Sequence, residues 1–111
     1  MRTPKKTVYI SGPMSGLPCF NFPNFFYWQR RLEKTGWKVI NTALIDCMKM
    51  LDGWRYTEDQ WEEIVTEDCR LIREEADAIF VLDGHKDSVG AKREIAEAEK
   101  KGLDIYWEVE G

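Results

Sequence analysis

The sequence predicts a three-layer α/β fold built on a parallel sheet of about four strands. Four short β-rich runs recur at residues 7–11, 37–41, 78–82 and 104–107. Each gap between them is long enough to hold a helix, and this alternation is typical of right-handed crossovers between parallel strands. The run at 78–82, AIFVL, is apolar throughout. We therefore expect it to be a central strand covered on both faces.

The three gaps carry helical patterns at residues 22–34, 57–75 and 88–101. Asn21 or Asn24 is a suitable cap for the first helix, and Thr57 with Gln60 fits a capping box at the start of the second. Ser88 has the N-cap position of the third helix, and Gly102 stands just past its end. Residues 44–56 are compatible with a short helix or with a flexible loop at an active site.

Composition limits the classes of function that fit the chain. Its 111 residues suit a single domain, residues 1–111, and contain no repeat or linker. The net charge of −4 argues against binding to a nucleic acid polymer, whose partners are normally basic. We find no signal peptide and no apolar run long enough to span a membrane.

The cysteines and the histidine exclude two further kinds of site. Three cysteines without metal-type spacing and one histidine make a zinc site or a histidine-based triad a poor fit. Three unpaired thiols favour a reducing, cytoplasmic location. His85, the one histidine, is expected to be a solvent-exposed loop residue.

In a sheet of this kind, ligands bind beyond the carboxyl ends of the strands. Three segments rich in glycine, proline or small polar residues would meet there: 12–16 (GPMSG), 41–43 (NTA) and 83–88 (DGHKDS). The glycines of the first segment allow backbone amides to turn toward a ligand. This segment is not a P-loop, because no GK[ST] sequence follows it.

The start of the third helix is a candidate site for a small anion. If Ser88 caps this helix, its first amides have no partner within the helix, and Gly90 has no side chain to keep a ligand away from them. An ordinary serine cap with a glycine in the first turn explains the same residues.

Two acidic residues fall on helix faces that should point inward. Glu94 borders the apolar stripe of Ala91, Ile95 and Ala98, and Asp68 lies within the apolar face of the second helix. Together they resemble the nucleophile and the acid of a glycoside-cleaving enzyme. Alternatively, Glu94 packs its stem while its head reaches water, and Asp68 faces a wet cleft or a backbone amide. Tyr9, at the end of the first strand, suits either a bond to a carboxylate or the core.

Three motifs in order carry a resemblance to a known family. VYISGPMSG, ADAIFVLDG and DSVGAKREIAEAEKKGL resemble segments of the nucleoside 2-deoxyribosyltransferase-like proteins, chiefly their small phage and bacterial branch. The resemblance implies a flavodoxin-like sheet and cleavage of the N-glycosidic bond of a nucleoside or nucleotide through a covalent glutamyl-sugar intermediate. It implies that Glu94 is the nucleophile, that Tyr9 orients it, and that Asp68 is the acid near the leaving base.

The family resemblance also bears on the substrate, the cofactor and the assembly. The transferases of this family usually place an acid where this chain has Ser88, whereas related nucleotide hydrolases place a serine there among their phosphate contacts. A (deoxy)nucleoside 5′-monophosphate is therefore the expected substrate, with water or another base as acceptor and no metal or organic cofactor. The residues expected to bind phosphate are Gly12, Met14, Ser15, Gly16, Ser88 and Gly90. A homodimer or higher homo-oligomer is implied as well.

Two departures from the family leave other hypotheses open. Asp68 stands one residue further from the ADA segment than the family spacing suggests, and little room for a fifth strand follows residue 107. Both features favour a nucleotide-binding module without turnover. An aromatic cluster beside the first helix, comprising Phe20, Phe22, Phe25, Phe26, Tyr27 and Trp28, also suits a purely structural dimer.

Overall fold

The computed structural model describes residues 5–13, 21–43 and 58–108. The elements in chain order are β1 (Thr7–Ser11), α1 (Phe22–Lys34), β2 (Lys38–Ile40), α2 (Glu58–Glu75), β3 (Ala78–Val81), a 3-10 turn (His85–Asp87), α3 (Val89–Lys101) and β4 (Asp104–Trp107). Strands and helices therefore alternate along the described chain as the sequence predicts.

The four strands form one parallel sheet in the order β2-β1-β3-β4. Tyr9 of β1 lies beside Ile40 of β2 and Ile79 of β3. The predicted α/β fold with a parallel sheet is confirmed. The chain leaves β1 toward one edge of the sheet and leaves β3 toward the other, so the carboxyl ends of β1 and β3 form a topological switch point.

Alternate side chains of the central strands enter two separate cores. Val8, Ile10 and Phe80 pack with Phe25 of α1 on one face. On the other face, a second buried cluster packs the sheet against α2 and α3; its members are Tyr9, Ile72, Ala76, Ile79, Val81 and Ala98. This two-residue alternation produces the three layers and places Tyr9 on the face covered by α2 and α3.

The ends of α3 match the sequence prediction closely. Ser88 is the N-cap, and its Oγ accepts a hydrogen bond from the amide of Ala91 at 3.1 Å. Gly102 ends the helix with a φ of 80°, a conformation that glycine adopts without strain. The start of α3 is thus fixed directly after β3, at the carboxyl edge of the sheet.

Elsewhere the boundaries differ by about a residue. The second and third strands are shorter than predicted, at Lys38–Ile40 and Ala78–Val81. Asn21 is the N-cap of α1, but its side chain makes no capping bond and instead donates to the carbonyl oxygen of Pro13 at 3.0 Å. Thr57 and the ambiguous segment 44–56 lie outside the described residues. Within the described part of the chain, no helix is both long and apolar enough to cross a membrane.

Candidate active site

The carboxylate of Glu94 lies in the interior, between α3 and the end of β1. Only 8% of the residue is exposed. Tyr9 donates its hydroxyl hydrogen to Oε2 of Glu94, and Ser11 donates its own to Oε1 at 3.0 Å. Each oxygen of the carboxylate therefore has a hydroxyl donor, as a buried charge requires. The prediction that Glu94 leans inward is confirmed.

Tyr9 is held in its protonated, donating form. Burial raises its pKa well above 10.0, and the charges of Glu94 and Asp68 raise it further. A hydrogen bond from Thr42 opposes this shift. Because a phenolate would face two carboxylates in a dry environment, Tyr9 remains a hydrogen-bond donor to Glu94 at neutral pH.

Asp68 belongs to the same group of charges. It is half-buried on α2, and its charge contributes to the raised pKa of Tyr9. Two ion pairs hold α2 against α3: Arg93 binds Glu62 through two contacts of 2.8 Å, and Arg73 binds Glu97 at 3.1 Å. These exposed pairs contribute little energy individually, but they fix the register between the helices that carry Asp68 and Glu94.

The start of α3 offers amides to an anion at the same edge of the sheet. Ser88 uses its Oγ and its carbonyl oxygen to accept from Ala91 and Lys92. By helix geometry, the amides of Val89 and Gly90 have no partner within the helix. Val89 is 64% exposed, so this end of the helix is open to solvent. Glu94 follows one turn further along.

Gly12 has a packing role that the sequence does not reveal. A Cβ atom at this position would lie 2.7 Å from Cβ of Leu82, so only glycine fits where β1 ends beside β3. This close approach accounts for Gly12 without a ligand. Met14, Ser15 and Gly16, the other predicted phosphate contacts of the GPMSG segment, lie outside the described residues.

The position of His85 differs from the sequence prediction. It was expected to be solvent-exposed, but it is half-buried, with its ring 4.9 Å from that of Trp107. Its Nδ1 is buried and has no hydrogen-bond partner among the described residues. Gly84, with a φ of 87°, begins the 3-10 turn that carries His85, and the imidazole ring packs there beside Trp107 of β4.

Ser11 and Thr42 are site residues that sequence reasoning missed. The signal for Ser11 was available: side chains two apart on a strand share a face, so Ser11 must lie on the same side of the sheet as Tyr9. Thr42 follows the adjacent strand β2 and is 7% exposed. Nothing in its local sequence distinguishes it from an ordinary loop threonine.

A separate groove of about 330 Å³ runs along the outer side of α2 and α3. Its lining residues are Thr66, Cys69, Arg73, Arg93, Ala96, Glu97 and Lys100. Burial, followed by the charges of Glu94 and Glu97, raises the pKa of Cys69 to about 11. Cys69 is thus a neutral thiol at physiological pH and a poor nucleophile.

Comparison with known proteins identifies the family. The family model described as "Domain of unknown function (DUF4406)" matches residues 6–107. The chain belongs to this family. The match runs from the residue before β1 to the last residue of β4, so the DUF4406 domain includes Tyr9, Asp68 and Glu94. No curated protein matches the chain.

We also searched the described residues of this DUF4406 domain for side chains that could bind a metal ion. Among them, no group of three or more His, Cys, Asp or Glu side chains is arranged to hold a metal ion. The polar groups found in the described part of the site are two carboxylates, four hydroxyl-bearing side chains and the amides at one helix start.

Proposed function

We propose that this protein cleaves the N-glycosidic bond of a (deoxy)nucleoside 5′-monophosphate and transfers the sugar to water or to another base. One observation carries the proposal: the buried Glu94 carboxylate is oriented by Tyr9 and Ser11 at the carboxyl edge of the sheet. A second acid, Asp68, lies close enough to influence the same tyrosine. Paired carboxylates are the groups that glycoside cleavage uses.

In the first step, an oxygen of Glu94 bonds to C1′ as the bond from C1′ to the base nitrogen breaks. The base leaves with that electron pair and takes a proton from Asp68, which must enter this step protonated and is left as a carboxylate. In the second step, water attacks C1′, the glutamyl ester breaks, and Asp68 takes the proton from the water. Glu94 returns as a carboxylate, so the cycle consumes only nucleotide and water.

Tyr9 and Ser11 serve this reaction as positioning residues. Their hydrogen bonds to the two oxygens fix the plane of the Glu94 carboxylate. Because the pKa of Tyr9 is raised, its proton stays on the phenol rather than passing to Glu94. The nucleophile is thereby kept in its charged form.

The phosphate belongs, in this proposal, at the start of α3. The Ser88 hydroxyl and the amides of Val89 and Gly90 would donate hydrogen bonds to the phosphate. The positive end of the helix dipole lies at the same place and favours an anion there. Gly12, Met14, Ser15 and Gly16 are proposed as further phosphate contacts on the ground of the sequence resemblance alone. The resemblance to nucleoside 2-deoxyribosyltransferase-like proteins supports this placement and a homo-oligomer, and the three cysteines of the sequence favour a cytoplasmic location.

The experiment is an incubation of the protein with each common ribonucleoside and deoxynucleoside 5′-monophosphate, with chromatographic detection of free base. We expect one nucleotide or a small group of them to release base together with a sugar 5-phosphate. Glu94→Gln should abolish release, whereas Glu99→Gln, on the exposed face of the same helix, should not. Base release by Glu94→Gln at the wild-type rate would remove Glu94 from the reaction.

A second candidate is a nucleotide-binding module without turnover. The observation that favours it is that both oxygens of Glu94 already accept hydrogen bonds in the interior, as they would in a purely structural tether between α3 and β1. This hypothesis predicts saturable nucleotide binding with no free base after long incubation. A structural dimer protein would show neither binding nor a nucleotide-dependent rise in melting temperature.

A further inference from the structure

Glu108, directly after β4, joins three separate parts of the fold. Its Oε2 accepts from the indole Nε1–H of Trp28 at 2.7 Å, and its Oε1 accepts from the amide of Asp83 at 2.8 Å. Its own amide donates to the carbonyl oxygen of Val81 at 2.8 Å. The carboxylate is partly buried.

These contacts join the two segments that leave the switch point of the sheet. Asp83 begins the segment that runs through the 3-10 turn to the N-cap of α3. Trp28 belongs to α1, whose first turn is tied to the segment after β1 by the bond from Asn21 to Pro13. Glu108 therefore connects α1 with the segment that leads to the proposed phosphate site at the start of α3, without lying in that site.

The partners of Glu108 are themselves held in place. The Trp28 ring packs against that of Phe80, with the two centroids 4.7 Å apart. The guanidinium of Arg31 lies over the Trp28 ring, 5.2 Å from its centroid. A carboxylate suits this position because both partners are N–H donors. A glutamine can offer its one oxygen to only one of them, and its NH₂ group would face the other donor.

We propose that Glu108 is a positioning residue that holds segment 83–88, and through it the start of α3, in the geometry that binds the anion. The expected effect of Glu108 on nucleotide affinity rests on the proposed function, whereas its expected effect on the order of segment 83–88 is independent of that function. The claim about order and the claim about affinity can therefore fail separately.

The first measurement is amide hydrogen exchange in the wild type, Glu108→Gln, Glu108→Ala and the exposed-site control Glu99→Gln. Losing the charged acceptor should accelerate exchange by about tenfold or more at the amides of Asp83, Ser88 and Ala91, which are hydrogen-bonded in the wild type. Exchange in β1 and α2 should stay the same. Unchanged exchange across residues 83–91 in both Glu108 variants would overturn the proposal, whatever the activity of the protein.

The second measurement is the kinetics of nucleotide cleavage by Glu108→Gln, which keeps the side-chain volume. We expect KM to rise about tenfold while kcat stays within about twofold, because Glu108 orients the phosphate site and touches no reacting atom. Faster exchange combined with an unchanged KM would overturn the link to binding. If the wild type cleaves no nucleotide, the proposed function fails. In that case the affinity for inorganic phosphate tests the link between Glu108 and anion binding. We expect this affinity to fall in Glu108→Gln, and an unchanged affinity would overturn the link.

Discussion

Tyr9 donates a hydrogen bond to Oε2 of Glu94 and so links the middle of the first strand to the third helix, 85 positions away in the sequence. The bond joins a hydroxyl that stays protonated to the carboxylate of a residue that is 8% exposed. It fixes α3 on the sheet and orients the proposed nucleophile in the same contact. Stability and activity are therefore expected to depend on the same pair of side chains.

Replacing Tyr9 with phenylalanine should lower both the stability and the activity of the protein. Tyr9→Phe removes the donor to Oε2 and leaves a buried carboxylate oxygen without that partner, which costs about 1–3 kcal/mol in the free energy of unfolding. Urea denaturation measures this loss. Tyr27→Phe is the matched control, because Tyr27 is 45% exposed and its hydroxyl only accepts from Arg31. Equal losses in the two variants would contradict the role assigned to Tyr9.

The contribution of Tyr9 to the free energy of unfolding should also depend on pH. The folded state raises the pKa of Tyr9 above 10.0, so the unfolded chain releases this proton first as the pH rises. Above about pH 10 the folded state binds more protons than the unfolded state, and its stability falls. The stability difference between wild type and Tyr9→Phe should therefore be full below that pH and shrink above it. A difference that stays constant through the alkaline range would contradict the pKa shift.

Ser88→Asp should separate capping from anion binding. Aspartate is as good an N-cap as serine and suits the helix dipole, so the stability should change by less than about 0.5 kcal/mol. Its charge would repel a phosphate, and we expect the affinity for nucleoside monophosphates to fall by tenfold or more, or about 1.4 kcal/mol. Titration calorimetry measures this change.

The control for this prediction is Ser88→Ala. It loses the cap, at a cost of about 1 kcal/mol, but introduces no charge. If the phosphate lies at the start of α3, Ser88→Asp weakens nucleotide binding more than Ser88→Ala does while remaining the more stable protein. The reverse order of affinities would place the phosphate elsewhere.

Gly12→Ala should destabilise the fold by steric overlap. The added Cβ would stand 2.7 Å from Cβ of Leu82, and overpacking of this kind costs about 1–3 kcal/mol. Gly90→Ala is the control: Gly90 is not among the glycines with a positive φ, and alanine is favoured over glycine in a helix by up to about 1 kcal/mol. A thermal melt should show a lower Tm for Gly12→Ala and an unchanged or higher one for Gly90→Ala. Equal Tm values would show that β1 and β3 can move apart.

Most of the fold could be predicted because its elements have strong local signals. Apolar runs such as AIFV mark buried strands, and the serine cap and terminal glycine of α3 set its limits almost to the residue. The strand order was not predicted. It depends on which helices cover which face, and that is a property of packing between distant parts of the chain.

The two acids of the candidate site were predicted because each contradicts its pattern. Glu94 and Asp68 were found because each is an acid on an apolar helix face. Ser11 was missed since a small polar residue at a strand end raises no such contradiction. Glu108 was missed for another reason: its partners Trp28 and Asp83 lie 80 and 25 positions away, and no local pattern shows that they meet.

The most direct test of the central claim is to trap the covalent intermediate on Glu94. The protein is mixed with its best nucleotide, quenched in acid within the first turnovers, digested and analysed by mass spectrometry. We expect a sugar 5-phosphate on the peptide that contains Glu94, and no such adduct in Glu94→Gln. Release of free base by a Glu94→Gln protein, with no adduct on this peptide in the wild type, would contradict the account.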